Sequence, residues 1–385
     1  MTTQHIETLI IGAGQAGLAA GYHLKQLGRE FLILDGNERV GDNWRCHWDT
    51  LRLFTPAKYD GLPGLPFPGD PWSFPGKDAV ADYLESYALE MDLPVRLQTR
   101  VDRLQARPGG GFTAHIGAET ITSDDVVVAT GTRGRTPHLP EVASMLDPSI
   151  RQLHSTEYLR PSQLSHGPTL VVGASHSGCE IAYEIAEHLP VTLCGRYTGN
   201  EPFAPGSGWD RVFTPLMVLV ATHVLTRRTP PGRKVMRYLR GPHHGAPTAR
   251  IKRRDLAERG VRWLEQRVTG ASEDGRPVLA DGTVLDVTTV IWCTGFEHHF
   301  EWIDLPVFDH EGWPREYRGV VDEAPGLFFC GLIFQYAFSS MVLPGVGRDA
   351  AYVAGRIADR SRPESVWLPD THPGRAPHGR PSERR

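Results

Sequence analysis

Apolar and polar positions follow one succession of periods, and the succession occurs twice. Ile6 to Ile11 is rich in β-branched and apolar residues, which predicts a buried parallel strand. Leu18 to Leu27 has helical spacing, and Phe31-Leu32-Ile33-Leu34 predicts a second strand. Between the first strand and the helix stands Gly12-Ala13-Gly14-Gln15-Ala16-Gly17. The second copy runs Leu170-Val171-Val172, then Gly173-Ala174-Ser175-His176-Ser177-Gly178, a helix from Cys179 to Glu187, and a strand over Val191 to Cys194. Each copy closes on a valine- or isoleucine-rich strand: Val126 to Gly131, ending 119 residues after Gly12, and Val290 to Gly295, ending 122 after Gly173. Gly326 to Gly331 predicts one more buried strand, and Pro344 opens a helix through Ile357.

Strand, glycine-rich turn, helix, strand is the unit that binds dinucleotides. The first glycine makes the tight turn, the second lets a pyrophosphate approach the backbone, and the third lets helix and strand pack. Asp35, 23 residues after Gly12, is placed to accept hydrogen bonds from a ribose diol. Arg196 stands 23 residues after Gly173, and a cation there suits a 2′-phosphate, so the second site is expected to prefer NADPH to NADH. Ser175 occupies the middle glycine position of that copy, where its hydroxyl can donate to a phosphate. Two dinucleotide sites with opposite ribose readers imply FAD at the first and NADPH at the second, so the expected fold is α/β with two Rossmann-like dinucleotide-binding domains, the NADPH domain inserted in the FAD domain. The boundaries are 1–160 and 293–359 for the FAD domain, 161–292 for the NADPH domain, and 360–385 for a disordered tail rich in Pro, Arg, His and Gly.

Composition narrows the class. The chain has 385 residues, 40% hydrophobic and 22% charged, enough for two packed domains. Its net charge of −4 offers no bulk attraction to nucleic acid or an anionic membrane, so neither is expected as a partner. Five cysteines without a CxxC pair argue against structural zinc and against a dithiol redox centre. Pairs such as His243-His244 and His298-His299 point in different directions on any regular element, so no metal site is expected. The scattered thiols and the absence of a signal-peptide pattern suggest a cytoplasmic protein. The apolar stretch Val212 to Thr226, with Pro215 near its start, reads first as core, with a pocket cap or a homodimer contact as alternatives.

Further segments carry a family resemblance. Gly41-Asp42-Asn43-Trp44 is similar to the GGxW segment of the class B flavin-dependent monooxygenases, a group that includes flavin-containing monooxygenases, the plant YUCCA enzymes and Baeyer–Villiger monooxygenases. Leu65-Pro66-Phe67-Pro68, Tyr83 to Ala88 and the two ATG-like turns are also similar, and the resemblance spans about residues 5 to 358. Of the motif FxGxxxHxxx(Y/F/W), His154 and Tyr158 match the second half, while Pro148 and Ile150 take the Phe and Gly positions. The resemblance implies an enzyme that uses NADPH to reduce FAD, forms a C4a-(hydro)peroxyflavin with O₂, and oxygenates a small organic substrate. N- or S-oxygenation and oxidative decarboxylation of a 2-oxo acid are the implied chemistries. The flavin carries that chemistry, so no catalytic side chain is singled out. The rivals are an NADPH oxidase, a non-oxygenating FAD/NAD(P)H oxidoreductase and a flavin-bound sensor.

The residues expected at FAD are Gly12, Gly14, Gln15, Gly17, Asp35, Asn43, Trp44, Arg45, Val101, Thr130 and Gly131. Val101 enters by analogy, as a backbone contact at the end of a Leu97 to Val101 strand, and Arg45 as a pyrophosphate partner. At NADPH they are Gly173, Ser175, Ser177, Gly178, Arg196 and Thr294. Arg250, Lys252, Arg253 and Arg254 read as the solvated face of a helix, with support for the 2′-phosphate as the alternative. Gln335 and Tyr336 are expected at the substrate, between the last strand and the last helix.

Overall fold

The computed structural model describes residues 3–131, 136–200, 210–241, 248–297 and 299–360. The expected tail, beyond Arg360, lies outside the described residues, as do His243, His244 and His298. From the N-terminus come β1 (Thr3–Ile11), α1 (Gln15–Gln26), β2 (Phe31–Leu34), α2 (Asp42–Arg45), α3 (Lys77–Glu90) and β3 (Val95–Arg96). An antiparallel meander follows, β4 (Arg103–Ala106), β5 (Phe112–Ile116) and the long β6 (Glu119–Val128). Next come β7 (Arg151–His154), β8 (Thr169–Val172), α4 (His176–Ile185) and β9 (Val191–Cys194). After α5 (Asp210–Leu219), α6 (Pro230–Arg240) and α7 (Arg253–Glu258) stand β10 (Arg262–Leu264), β11 (Val268–Ala271), β12 (Pro277–Leu279) and β13 (Thr289–Trp292). The chain ends in β14 (Ile303–Asp304), β15 (Leu327–Phe329) and α8 (Leu343–Ala358).

Two sheets organise these elements. In the first, β3, β2, β1, β6 and β15 run parallel, and β15 pairs with the second half of β6 while β5 pairs with its first half. The second sheet, β10-β9-β8-β13-β7, is parallel throughout. Each is therefore a doubly wound sheet with its topological switch beside the first strand of the repeat, between β1 and β6 and between β8 and β13. They differ in the origin of the edge strand. In the first sheet it is the last strand of the chain; in the second it is β7, which precedes the glycine-rich loop and lies ahead of residue 161, where the second domain was expected to start.

Small residues set the layer spacing. The inner face of α1 is Ala16, Gly17, Ala19, Ala20 and Gly21, all buried, and a Cβ on Gly21 would stand 2.9 Å from Ile33 Cδ1. The helix thus sits directly on the sheet, covered in turn by α8 through Val346, Ala350, Val353 and Ala354. The other face of the sheet buries Leu9, Ile11, Leu34, Val126, Val128 and Phe329. The second sheet repeats the plan, with Val171, Ile181, Ile185 and Leu193 on one side and Leu170, Val290 and Trp292 on the other. No helix among the described residues is long and apolar enough to cross a membrane.

Candidate active site

Both glycine-rich turns are built alike, down to the contacts that exclude side chains. Gly12 (φ +112°) takes the turn after β1, donates to Leu34 O at 2.7 Å, and has Ala129 O 2.6 Å from where a Cβ would be. Gly173 (φ +111°) donates to Cys194 O at 2.8 Å, and Cys293 O stands 2.2 Å from its Cβ position. A Cβ on Gly17 would lie 1.8 Å from Gly12 O, and one on Gly178 would lie 1.7 Å from Gly173 O. These four glycines serve packing. Gly14 differs, because nothing lies within 4 Å of its Cβ position and no side chain caps the first turn of α1 behind it. The N–H groups of that turn are left without a side-chain cap beside an unobstructed Gly14, the arrangement a pyrophosphate requires. At the equivalent place in the second loop Ser175 is the N-cap of α4.

The ribose positions hold a correction. Equal counts of 23 residues suggested that Asp35 and Arg196 are equivalent, but the strand register is one residue out of step. Ile11 pairs with Leu34 and Val172 with Cys194, so Gly195 corresponds to Asp35, and Arg196 to Gly36. Gly195 (φ +145°) has Ala174 N 2.8 Å from its Cβ position, which leaves no room for an acid. Asp35 Oδ2 accepts from Ala13 N at 2.6 Å, and Oδ1 accepts from Asn37 N and Nδ2 at 2.8 and 2.7 Å. The carboxylate is thereby held at the loop mouth with lone-pair capacity left for a further donor. Arg196 is exposed and forms no ion pair among the described residues. Beside it, the Arg253 guanidinium lies 5.8 Å from the Tyr197 ring and pairs with Glu265 at 2.7 Å.

Other expected contacts fall differently. Arg45 is committed to Val40 O at 2.8 Å, Asp42 at 3.0 Å, Asp82 at 2.8 Å and Glu85 at 2.9 Å. It braces α2 against α3 and has little left for a pyrophosphate. The strand expected to end at Val101 stops at Arg96, because Gln98 turns left-handed (φ +50°) and donates to Asn37 O; Val101 is buried core. Gln335 is fully buried, its Oε1 accepting from Leu332 N at 3.3 Å and bracing its own loop, while its Nε2 has no hydrogen-bond partner among the described residues. Tyr336 is stacked between the Arg318 and Arg348 guanidinium carbons, 4.3 and 4.7 Å from its ring centre. The hydroxyl of Thr294 donates to His138 O. Gln15 Nε2 reaches Met341 O at 3.1 Å and ties the first loop to the start of α8. Asn43 and Thr130 are exposed, Trp44 and Ser177 are half-buried, and Gly131 (φ +82°) faces open space. Arg250 is not on a helix; its Nη2 donates to Arg52 O at 2.8 Å.

The two loops converge. Phe54, from the loop after α2, meets the His176 ring at 4.6 Å, and His176 opens α4 in the second loop. Burial lowers the His176 pKa to about 4, so the imidazole is neutral at physiological pH. Next to Phe54, the Thr55 hydroxyl donates to Asp60 Oδ1 at 2.5 Å. Asp60 is fully buried, its Oδ2 has no hydrogen-bond partner, and burial raises its pKa to about 7 despite the Thr55 bond. Sequence reading missed this pair, since a lone Asp in a Gly/Pro-rich loop carries no signal of burial. An open cleft of about 550 Å³ lies between the end of β2, α2 and the segment after β7, bordered by Asn37, Asp42, Arg45, Thr156 and Glu157. His154, at the end of β7, and Tyr158, on the same segment, are buried. The His154 ring contacts Gly295 O at 3.1 Å, and the Tyr158 hydroxyl contacts Glu184 at 3.0 Å.

Two doubly wound sheets of one winding, with glycine-rich mouths that meet across a shared loop, define a two-nucleotide oxidoreductase. A family model described as pyridine nucleotide-disulphide oxidoreductase matches residues 9–204. A CzcO-like oxidoreductase of Geobacillus kaustophilus is 36% identical over 369 residues, covering 92% of this chain and 99% of that protein. A protein of Arabidopsis thaliana termed probable indole-3-pyruvate monooxygenase YUCCA1 is 27% identical, covering 94% and 93%. The structure of a flavin-containing monooxygenase from Stenotrophomonas maltophilia superposes with a TM-score of 0.70 at 25% identity, covering 92% of this chain and 98% of that one. The chain belongs to this oxidoreductase family, in its flavin-dependent monooxygenase group.

Proposed function

We propose that the chain binds FAD at the first glycine-rich loop and NADPH at the second, and oxygenates a small organic molecule by N- or S-oxygenation or by oxidative decarboxylation of a 2-oxo acid. The observation that carries this reading is the pair of superposable glycine turns that differ at the ribose position: an acid held at one mouth, a glycine followed by a free arginine at the other. When bound, NADPH supplies hydride to the flavin, and the reduced flavin supplies the electrons that activate O₂.

The chain's own residues bind and shield. Gly14 and the first turn of α1 hold the FAD pyrophosphate, and Asp35 holds its ribose, with Gln15, Asn43, Trp44, Thr130 and Gly131 around the site. Ser175, Ser177 and the first turn of α4 hold the NADPH pyrophosphate, with Arg196 at its 2′-phosphate and Arg253 close by. Phe54 and the neutral His176 ring cover the junction and keep water from it. Thr55 and Asp60 keep a proton there near pH 7. A dithiol mechanism of the disulphide-reductase kind does not fit: the sequence contains no CxxC, and burial pushes the thiols of Cys179 and Cys194 up to about 12.

Stopped-flow absorbance tests the proposal. The protein is reduced with NADPH and mixed with O₂, with and without an amine, a sulfide or a 2-oxo acid. A species distinct from reduced and oxidised flavin, whose decay one of these compounds accelerates with formation of oxygenated product, is expected. Direct return to oxidised flavin with stoichiometric H₂O₂, whatever is added, would make the chain an NADPH oxidase. Arg196→Ala is expected to raise the NADPH KM about 10-fold or more, with little effect on the NADH KM. An unchanged NADPH/NADH preference would remove Arg196 from the site.

A further inference from the structure

We infer that the helical segment 210–241 is a docking surface for an anionic lipid bilayer. Its apolar residues were expected in the core, and the structure turns many of them outward. Val212 is 62% exposed, Leu216 57%, Leu219 52% and Met217 41%, all on α5, and Val224 in the π-helical turn after it is 40% exposed. Pro215 inside α5 and that π turn leave the helix irregular, so its apolar side chains form a broad ridge. The next helix presents the other half of the pattern. Val235, Met236 and Leu239 of α6 pack inward, while Arg233, Lys234, Arg237 and Tyr238 face solvent.

Charge chooses the occupant. Residues 210–241 contain seven cations (Arg211, Arg227, Arg228, Arg233, Lys234, Arg237, Arg240) and one acid (Asp210), in a chain of net charge −4. Arg227 and Arg240 are held by the buried Glu316, at 2.9 and 3.2 Å, and this pins the segment to the first domain. Arg228, Arg233, Lys234 and Arg237 have no carboxylate partner among the described residues. A two-fold contact with a second copy would set these like-charged rims against each other. A bilayer interface satisfies both halves, taking the aliphatic ridge into the acyl boundary and the cations at the phosphate level, with Tyr238 between. The overall negative charge that argued against a membrane conceals this segregation.

The surface adjoins the mouth of the proposed site: Arg348 Nη1 donates to Thr222 O at 2.9 Å, and Phe338 N donates to Leu225 O at 2.9 Å. If the oxygenase reading is right, an apolar substrate dissolved in the bilayer would reach the site directly. The docking itself does not rest on that reading.

The test is co-flotation of the full-length protein, as purified, with phosphatidylcholine vesicles and with vesicles containing about one-third phosphatidylglycerol. Binding to the anionic vesicles alone, weakening as salt rises from about 0.05 to 0.5 M, is expected. Arg233→Gln/Lys234→Gln/Arg237→Gln is expected to weaken it on the order of 100-fold. Leu216→Asp/Leu219→Asp is expected to abolish it, with thermal midpoint and flavin content unchanged because both side chains are exposed. Failure of the wild type to float at low salt, or undiminished binding by both variants, overturns the inference. A dimer seen by light scattering, dissociated by the leucine variant in a protein that does not float, also overturns it and assigns the ridge to a second copy.

Discussion

The glycines of the first loop separate binding from folding, and two methyl groups can show it. A Cβ on Gly14 meets nothing within 4 Å, and the residue sits at φ −78°, ψ −176°, a conformation open to alanine. Gly14→Ala therefore costs the apoprotein little. Loss of glycine at an N-cap costs about 0.5–1 kcal/mol, and the gain from a less flexible unfolded chain is of about the same size. The apoprotein midpoint should stay within about 2 °C of wild type. In the holoprotein the methyl occupies the approach of the pyrophosphate, and affinity should drop by about 10-fold or more, or at least 1.4 kcal/mol. Gly17→Ala does the opposite. Its methyl would lie 1.8 Å from Gly12 O and 3.3 Å from Ile10 Cγ2, so α1 must move off β1 in a fully packed layer. Overpacking of that kind costs about 1–3 kcal/mol and is felt with or without ligand. The assay is thermal unfolding of both apoproteins, with FAD titrated into each and followed by flavin fluorescence. Wild-type FAD affinity in Gly14→Ala would refute the cradle, and an apo-stable Gly17→Ala would refute the helix–strand contact.

Two further outcomes follow from the buried charges. The Asp60 carboxyl titrates at about 7 when folded and near 3.8 when unfolded, so the unfolded chain releases this proton first as pH rises. Stability should fall between about pH 4 and pH 7, by at most about 4 kcal/mol, and Asp60→Asn should gain on wild type in urea melts from pH 5 to pH 8; parallel pH profiles would show that Asp60 is not held protonated. Glu316→Gln should cost about 3–5 kcal/mol, because it strands Arg227 and Arg240. Proteolysis within 210–241 should precede global unfolding, and a variant as protease-resistant as wild type would show that the segment is held by other contacts.

The repeat was legible because its chemistry is local. A tight turn, a close helix–strand approach and a buried parallel strand each demand particular residues at fixed offsets, and both copies supply them. What failed depended on register or on distant partners. Equal spacing of Asp35 and Arg196 concealed a one-residue shift that only the pairing of Val172 with Cys194 exposes. Arg45 and Gln335 were assigned by position in the loop. The acids that claim Arg45 lie partly on α3, roughly forty residues away, and nothing local shows that Gln335 turns inward. Strand β7 shows the same limit, since a strand ahead of its glycine loop gives no sign of which sheet it will join.

The segment 210–241 shows why hydrophobicity along the chain does not report burial. Val212 to Ala221 has the composition of a core helix, and a chain of this size has a core to receive it. The first sheet, however, is already closed on its α1 face by α8, and α6 takes part of what remains on the other face through Val235, Met236 and Leu239. The Glu316 pair of ion contacts then fixes α6 in that place. The ridge of α5 is left outward, with Val212, Leu216, Met217 and Leu219 exposed, although Arg348 and Phe338 hold the adjoining turn at the mouth of the site. An apolar ridge maintained at an enzyme's mouth, rimmed by cations without carboxylate partners, is more economically explained by an external surface than by a failure of packing.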